Sequence, residues 1–333
     1  MSQLVVSKNP LIPLDEAVCL IKAGSVVAIP TETVYGLAAD ISQQSAVKQI
    51  FSLKGRPENH PLIIHISAIT QLETYAIHIP DYVYLLANHF WPGPLTFVLY
   101  KSERVGDWVT GGQDTVGIRM PNHPTALALI ERVGSPLAAP SANQFGKISP
   151  THPEHVMAEF GDKVSILDGG MCDVGIESTI IDATCHDACT ILRPGMVSKE
   201  AIQAVLRNNI AINAPGTQSR KVSGTLKSHY SPNKPAFLFE DINDFATIQD
   251  EHETTFGIYI SPEYQSRFSQ GVQLPNNPLE YAKIIYESLR LADQATTRAI
   301  LIECPPKTKE WTAILDRLER SCAENHSQID LIY

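Results

Sequence analysis

The chain has 333 residues, enough for two domains of roughly 100–200 residues that each bury a core. Hydrophobic residues make up 44% and charged residues 19%, the balance of an ordinary soluble globular protein. The formal net charge of −10 argues against histone-like binding of long nucleic acid, yet leaves room for a small anion in a locally cationic site.

In chain order, short apolar runs alternate with helical periods. Val26–Ile29 reads as a buried strand ended by Pro30, and apolar positions 46, 47, 50, 51 and 53 give one face of a short helix. Strands are expected at Leu62–Ile66, Leu95–Leu99 and Val116–Met120, and helices over 78–90 and 124–133, each with a proline near its start. Ser165–Leu167 and the pair Ser178–Ala183 and Thr190–Arg193 complete a mixed α/β pattern. Turn-formers then dominate up to Pro235, which reads as a linker. Beyond it, strands at Ala236–Phe239, Thr255–Ile260 and Ala299–Ile302 accompany amphipathic helices over 277–292 and 308–322. The expected organisation is 1–208, a linker over 209–235, and a small α/β domain over 236–333.

Six cysteines stand at 19, 172, 185, 189, 304 and 322 without a CxxC pair. Cys185 and Cys189 fall in a segment that reads as a hairpin turn, so scattered reduced thiols are expected rather than a metal site. The N-terminal string Met1–Pro10 lacks a basic region followed by an apolar run, and no stretch approaches roughly 18 uninterrupted apolar residues. A cytoplasmic protein without a membrane association is expected.

Four segments could carry chemistry, each with a plain structural reading beside the functional one. Pro30–Leu37 delivers hydroxyls and a carboxylate from a strand end, or else Thr31 or Thr33 caps a helix. Lys54-Gly55-Arg56-Pro57 is a stiff cationic turn suited to polyphosphate, or two cations capping a helix C-terminus. Ala139–Asn143 offers Ser141 and Asn143 to one ligand, or forms a local side-chain turn. Asp168 to Gly195 combines glycines with Arg193 at a strand end. Each segment alone is a weak signal.

Together, in this order, they are specific. PTETVYGLA (30–38), KGRPENHPLIIHI (54–66), WPGPLTFVL (91–99), VGIRMPNHP (116–124), APSANQFGKISPT (139–151), GIESTIID (175–182), ILRPG (191–195) and SGTLKSHYSP (223–232) run through the chain. The sequence resembles the threonylcarbamoyl-AMP synthase family, in which a YrdC-like domain is joined by a linker to a smaller C-terminal domain. The resemblance implies a twisted mixed sheet with helices around a concave cationic cavity, followed by a Rossmann-like βα domain. It implies condensation of L-threonine, bicarbonate or CO2 and ATP into threonylcarbamoyl-AMP and pyrophosphate. The product feeds N6-threonylcarbamoyladenosine formation in tRNA through downstream threonylcarbamoyl-transfer proteins.

Carried over by position, Lys54, Arg56, Thr115, Ser141, Asn143, Ser149, Arg193 and Tyr230 would hold ATP, with Lys54 and Arg56 counted as catalytic. Thr33, His65, Arg119 and Thr179 would form the threonine pocket, and His229 and Tyr230 would belong to a lid. Both nucleophiles, the threonine amine and then its carbamate, belong to the substrates. Alignment and charge neutralisation therefore suffice, and no Ser-His-Asp or Cys-His arrangement is found. Mg2+ is an implied helper without a carboxylate cluster to mark a dedicated site. The rivals are a carbamoyl-phosphate-dependent carbamoyl-adenylate enzyme, as in hydrogenase-maturation relatives, and a non-catalytic RNA-binding module. Accessory acylphosphatase-like and zinc-finger segments are not found, and the acidic balance disfavours tight RNA binding.

Charge distribution sharpens the expectation. Residues 1–206 hold thirteen Lys/Arg against twenty Asp/Glu, yet Lys54, Arg56, Arg119 and Arg193 all fall in the motifs. Positive potential is therefore expected in one cavity under an acidic exterior.

Overall fold

The computed structural model describes residues 10–207, 209–216, 220–224, 226, 228–241 and 255–323. Of the expected linker, Thr217, Gln218, Ser219, Thr225 and Lys227 lie outside the described residues, as do positions 1–9 of the N-terminal string.

Twelve strands form one mixed sheet. They are β1 (Leu11–Ile12), β2 (Val27–Ile29), β3 (Gly36–Asp40), β4 (Ile63–His65), β5 (Ala76–Ile77) and β6 (Leu95–Lys101). Then come β7 (Thr115–Arg119), β8 (Leu137–Ala138), β9 (Ser165–Leu167), β10 (Thr179–Asp182), β11 (Ala188–Arg193) and β12 (Ala211–Asn213). The spatial order is β1-β9-β2-β3-β8-β4-β7-β6-β10-β11-β12, with β5 paired to β6. Strands distant in sequence thus become neighbours, and β4 runs parallel to β7 with His65 opposite Arg119.

Helices cover both faces, as apolar periodicity requires. Val47, Ile50 and Phe51 of helix Gln44–Lys54 and Val83 and Leu86 of helix Asp81–Phe90 pack with Ile64, Phe97 and Ile118. Ile21 of helix Leu14–Lys22 and Leu129 and Ile130 of helix Pro124–Val133 pack with Val27, Ile29 and Leu137 on the other side.

A second, wholly parallel sheet has the order β13-β16-β14-β15, from β13 (Ala236–Phe239), β14 (Thr255–Tyr259), β15 (Gln270–Gln273) and β16 (Ala299–Glu303). Helix Pro278–Gln294, whose N-cap Asn277 accepts from the backbone of Leu279 and Glu280, packs on it with helix Thr312–Cys322. Its core is continuous with Val34, Ile148 and Ile176 of the first sheet's loops and with Tyr230. The two layers therefore meet through apolar packing.

Several local expectations change. No helix follows Thr31 or Thr33; the chain makes a turn and enters β3, antiparallel to β2. The start of the expected linker is strand β12, parallel to β11. Helices Leu14–Lys22, Pro153–Phe160 and Lys199–Leu206 and strand β15 are further elements that the sequence does not predict, none longer than 9 residues. Among the described residues, no helix is long and apolar enough to cross a membrane.

Candidate active site

The ends of β2, β4 and β7 build one wall of a buried cavity. After β2, the Thr31 hydroxyl accepts from the Thr33 and Val34 amides at 3.2 and 3.1 Å and donates to the Val34 carbonyl at 2.6 Å. This side-chain turn orients Thr33, whose hydroxyl accepts from Arg119 Nη1 at 2.9 Å. Arg119 also donates from Nε to the Gly93 carbonyl and pairs through Nη2 with Glu32 at 2.7 Å. His65 sits beside it on β4. Burial, then the Arg119 charge, lowers the His65 pKa to about 3, so the imidazole is neutral at physiological pH. Its Nδ1 has no protein partner.

The cationic turn divides between its two readings. Lys54 closes helix Gln44–Lys54, and Gly55 takes the left-handed conformation (φ 60°) that lets the chain reverse. The Lys54 ammonium is buried and donates to the carbonyls of Ser141 (2.5 Å) and Asn143 (2.7 Å), pinning that loop from behind. Burial and the neighbouring Arg56 lower its pKa well below the usual lysine value. Arg56 instead lines the cavity, donating to the Pro61 carbonyl (2.8 Å) and the Ser223 hydroxyl (3.1 Å), while its Nε has no partner. Burial brings the Arg56 pKa down to about 10, still charged.

Arg193 leaves β11 and donates through Nε and Nη2 to the Ser178 carbonyl and through Nη1 to the Ser223 carbonyl. The linker closes the cavity. Gly224 (φ 81°) passes so near that a Cβ there would lie 2.3 Å from the Tyr230 hydroxyl. His229 and Tyr230 are buried, and burial lowers the His229 pKa to about 3 and raises the Tyr230 pKa to about 12.

Of the residues singled out in sequence, Thr33, Arg56, His65, Arg119, Ser141, Arg193, His229 and Tyr230 line this cavity. The others stand behind its wall. Asn143 donates to the carbonyls of Gln144 and Lys147, Ser149 to Glu177 at 2.5 Å, and Thr179 to the Val197 carbonyl. Thr115 lines a separate small space, about 20 Å³, under Lys221–Ser223. Glu177, Ser178, Ser223 and Gly224 also line the cavity, and Glu32, the carboxylate of the Pro30–Leu37 segment, stands beside it on Arg119. For Glu177 the signal in the sequence is a carboxylate placed among motif cations.

The cavity measures about 50 Å³, whereas ligand pockets are usually about 300–1,000 Å³. A space of this volume is too small for a nucleotide. Buried polar atoms without protein partners around it, among them His65 Nδ1, His229 Nδ1 and the Tyr230 hydroxyl, are groups that a polar ligand would satisfy.

A family model described as "Telomere recombination" matches residues 19–195, and one described as "Threonylcarbamoyl-AMP synthase, C-terminal domain" matches 197–323. A threonylcarbamoyl-AMP synthase of Pyrococcus abyssi is 40% identical over 314 residues, covering 90% of this chain and 91% of the relative. The chain belongs to the threonylcarbamoyl-AMP synthase family. Another threonylcarbamoyl-AMP synthase, from Bacillus subtilis, is 38% identical and covers 92% of each chain. The crystal structure of P. abyssi Sua5 complexed with L-threonine superposes with a TM-score of 0.85 at 38% identity, covering 93% of this chain and 94% of that one. The threonylcarbamoyl-AMP synthase resemblance of the motifs thus extends to both sheets.

Proposed function

We propose that this chain is an L-threonylcarbamoyladenylate synthase. It condenses L-threonine, bicarbonate or CO2 and ATP into threonylcarbamoyl-AMP and pyrophosphate, and the product serves N6-threonylcarbamoyladenosine formation in tRNA. The observation that carries this reading is a closed cavity where Arg56, Arg119 and Arg193 converge with hydroxyls and a neutral imidazole. Such a site aligns substrates and neutralises phosphate charge, which suits a reaction whose nucleophiles come from the substrates.

Arg119 is the natural partner of the threonine carboxylate, with Thr33 and His65 completing that pocket. The threonine amine attacks CO2, and the carbamate oxygen then attacks the α-phosphorus with pyrophosphate leaving. Arg56, Arg193 and the Ser141 hydroxyl face the phosphates. Lys54, Asn143 and Ser149 support that wall from behind, Thr115 borders it beneath the linker, and Thr179 braces the threonine side. His229 and Tyr230 close over the reactants and keep water from the labile carbamate.

We place Mg2+ on the nucleotide as part of the substrate. The buried carboxylates of these motifs are taken, Glu32 by Arg119 and Glu177 by Arg317, and among the described residues no group of three His, Cys, Asp or Glu could hold a metal. The released adenylate would pass to threonylcarbamoyl-transfer proteins acting on tRNA.

The test is incubation of the full chain with ATP and labelled bicarbonate, with and without L-threonine, and product identification by mass spectrometry. Threonine-dependent formation of labelled threonylcarbamoyl-AMP is expected. ATP turnover that ignores threonine and persists with carbamoyl phosphate would favour the carbamoyl-phosphate rival instead.

A further inference from the structure

One carboxylate stands on the wall of a cavity that the proposed function fills with a triphosphate. Glu177 is 7% exposed and lines the same space as Arg56 and Arg193. Its side chain accepts from Ser149 on one oxygen, and from the Tyr286 hydroxyl and Arg317 Nε, both at 2.9 Å, on the other. Tyr286 and Arg317 belong to the two helices of the second sheet layer, helix Pro278–Gln294 and helix Thr312–Cys322.

Arg317 is 1% exposed, deeper than any surface pairing requires. Its Nη2 donates to the carbonyls of Pro194 (3.0 Å) and Glu177 (3.3 Å), and its guanidinium lies 5.2 Å from the centre of the Tyr230 ring. Tyr230 in turn stacks on Tyr286. Asp316 also contacts Arg317, but Arg320 takes its other oxygen through Nε and Nη2. The same helix holds the linker directly: Arg320 Nη1 donates to the Leu226 carbonyl, the His229 amide to the Arg320 carbonyl, and Ser321 to the Tyr230 carbonyl.

We infer that Arg317 is a positioning residue of the active site, supplied by the C-terminal domain to cancel the charge of Glu177 where that carboxylate faces the anionic nucleotide. Glu177 keeps its place because it orders Ser149 and Tyr286, and a carboxylate left alone there would repel the phosphates. The C-terminal domain therefore completes the cavity electrostatically as well as holding its lid. This inference rests on the proposed nucleotide site.

The test measures ATP affinity by calorimetry on the full chain and four variants, with thermal unfolding as a check of folding. Affinity should follow the summed charge at positions 177 and 317. Arg317→Met should bind ATP about tenfold more weakly or worse, whereas Arg317→Lys should stay near wild type. Glu177→Gln should bind at least as tightly as wild type, and Glu177→Gln combined with Arg317→Met should recover most of the loss. A purely structural role predicts that the double variant is at least as poor as Arg317→Met. That outcome, or weaker ATP binding by folded Glu177→Gln, overturns the inference. If Arg317→Met alone does not fold, Glu177→Gln and Arg317→Lys still decide it. Failure of the wild-type chain to bind ATP would count against the proposed function itself.

Discussion

Replacing Lys54 with methionine separates two ways in which this residue could serve the reaction. The ammonium ends helix Gln44–Lys54, is 2% exposed, and donates to the carbonyls of Ser141 and Asn143 at 2.5 and 2.7 Å. Methionine keeps the four-atom apolar stem of the side chain and removes the ammonium that makes both hydrogen bonds. Each buried carbonyl left without a partner costs about 1–3 kcal/mol, or about 2–6 kcal/mol together. Sparing the burial of an ammionium offsets part of this, so a net loss of about 2–3 kcal/mol is expected. The loop released is the one that brings Pro140 and Ser141 to the cavity, so kcat/KM for ATP should fall by about 100-fold through loss of alignment. Urea unfolding gives the first quantity, and threonine-dependent pyrophosphate release gives the second. A variant that is inactive yet as stable as wild type, or more stable, would refute loop anchoring and show a lysine that meets phosphate directly.

Acid should destabilise the protein well above the carboxylate range. His65 and His229 are buried with pKa values near 3 against an ordinary 6.5, so between these limits the unfolded chain binds protons that the folded chain does not. Stability is complete above pH 6.5 and falls as pH drops. Between pH 7 and 5.5 about 2–3 kcal/mol should be lost, which urea midpoints would register, and a flat profile there contradicts the assignment. Burial opposes the charge of Glu177, but Arg317 and Arg193 hold its pKa at about 2, so its contribution is present above the ordinary value of 4.5 and is lost progressively as pH falls from there to about 2. Gly224→Ala should raise the ATP KM severalfold or more and cost about 1–2 kcal/mol of stability, since alanine is strained at φ 81° and its Cβ would meet the Tyr230 hydroxyl and Arg193 just where the linker closes. Wild-type steady-state kinetics in that variant would show that closure does not need this approach.

Much of the catalytic layer was legible because strand-end motifs carry local information. Arg193 is recognisable where an apolar run ends, whereas His65 and Arg119 stand within their runs and only the family resemblance singles them out; all three line the cavity. The period of helix Gln44–Lys54 was equally plain, since its buried positions repeat on one face. What local pattern could not supply was the direction of side chains whose partners lie far along the chain. Lys54 meets carbonyls 87 and 89 residues away, and Glu177 meets Arg317 140 residues away. Thr31 and Thr33 looked like helix caps because a threonine after a strand has the same local signature whether a helix or a second strand follows.

The charge balance divides along the same line. Composition by itself determined an acidic chain with a few cations concentrated in motifs, and the ordered strings determined the family. Only the tertiary structure decided which of those cations face the cavity, because β4, β7 and β11 become neighbours of one space through pairings that no local pattern encodes. It also decided that the cavity has an acid in it, neutralised by an arginine from the other domain. Burial makes that pairing matter: at 1% exposure neither water nor salt is available to screen an unmatched charge, so Glu177 depends on the second layer for its counter-charge.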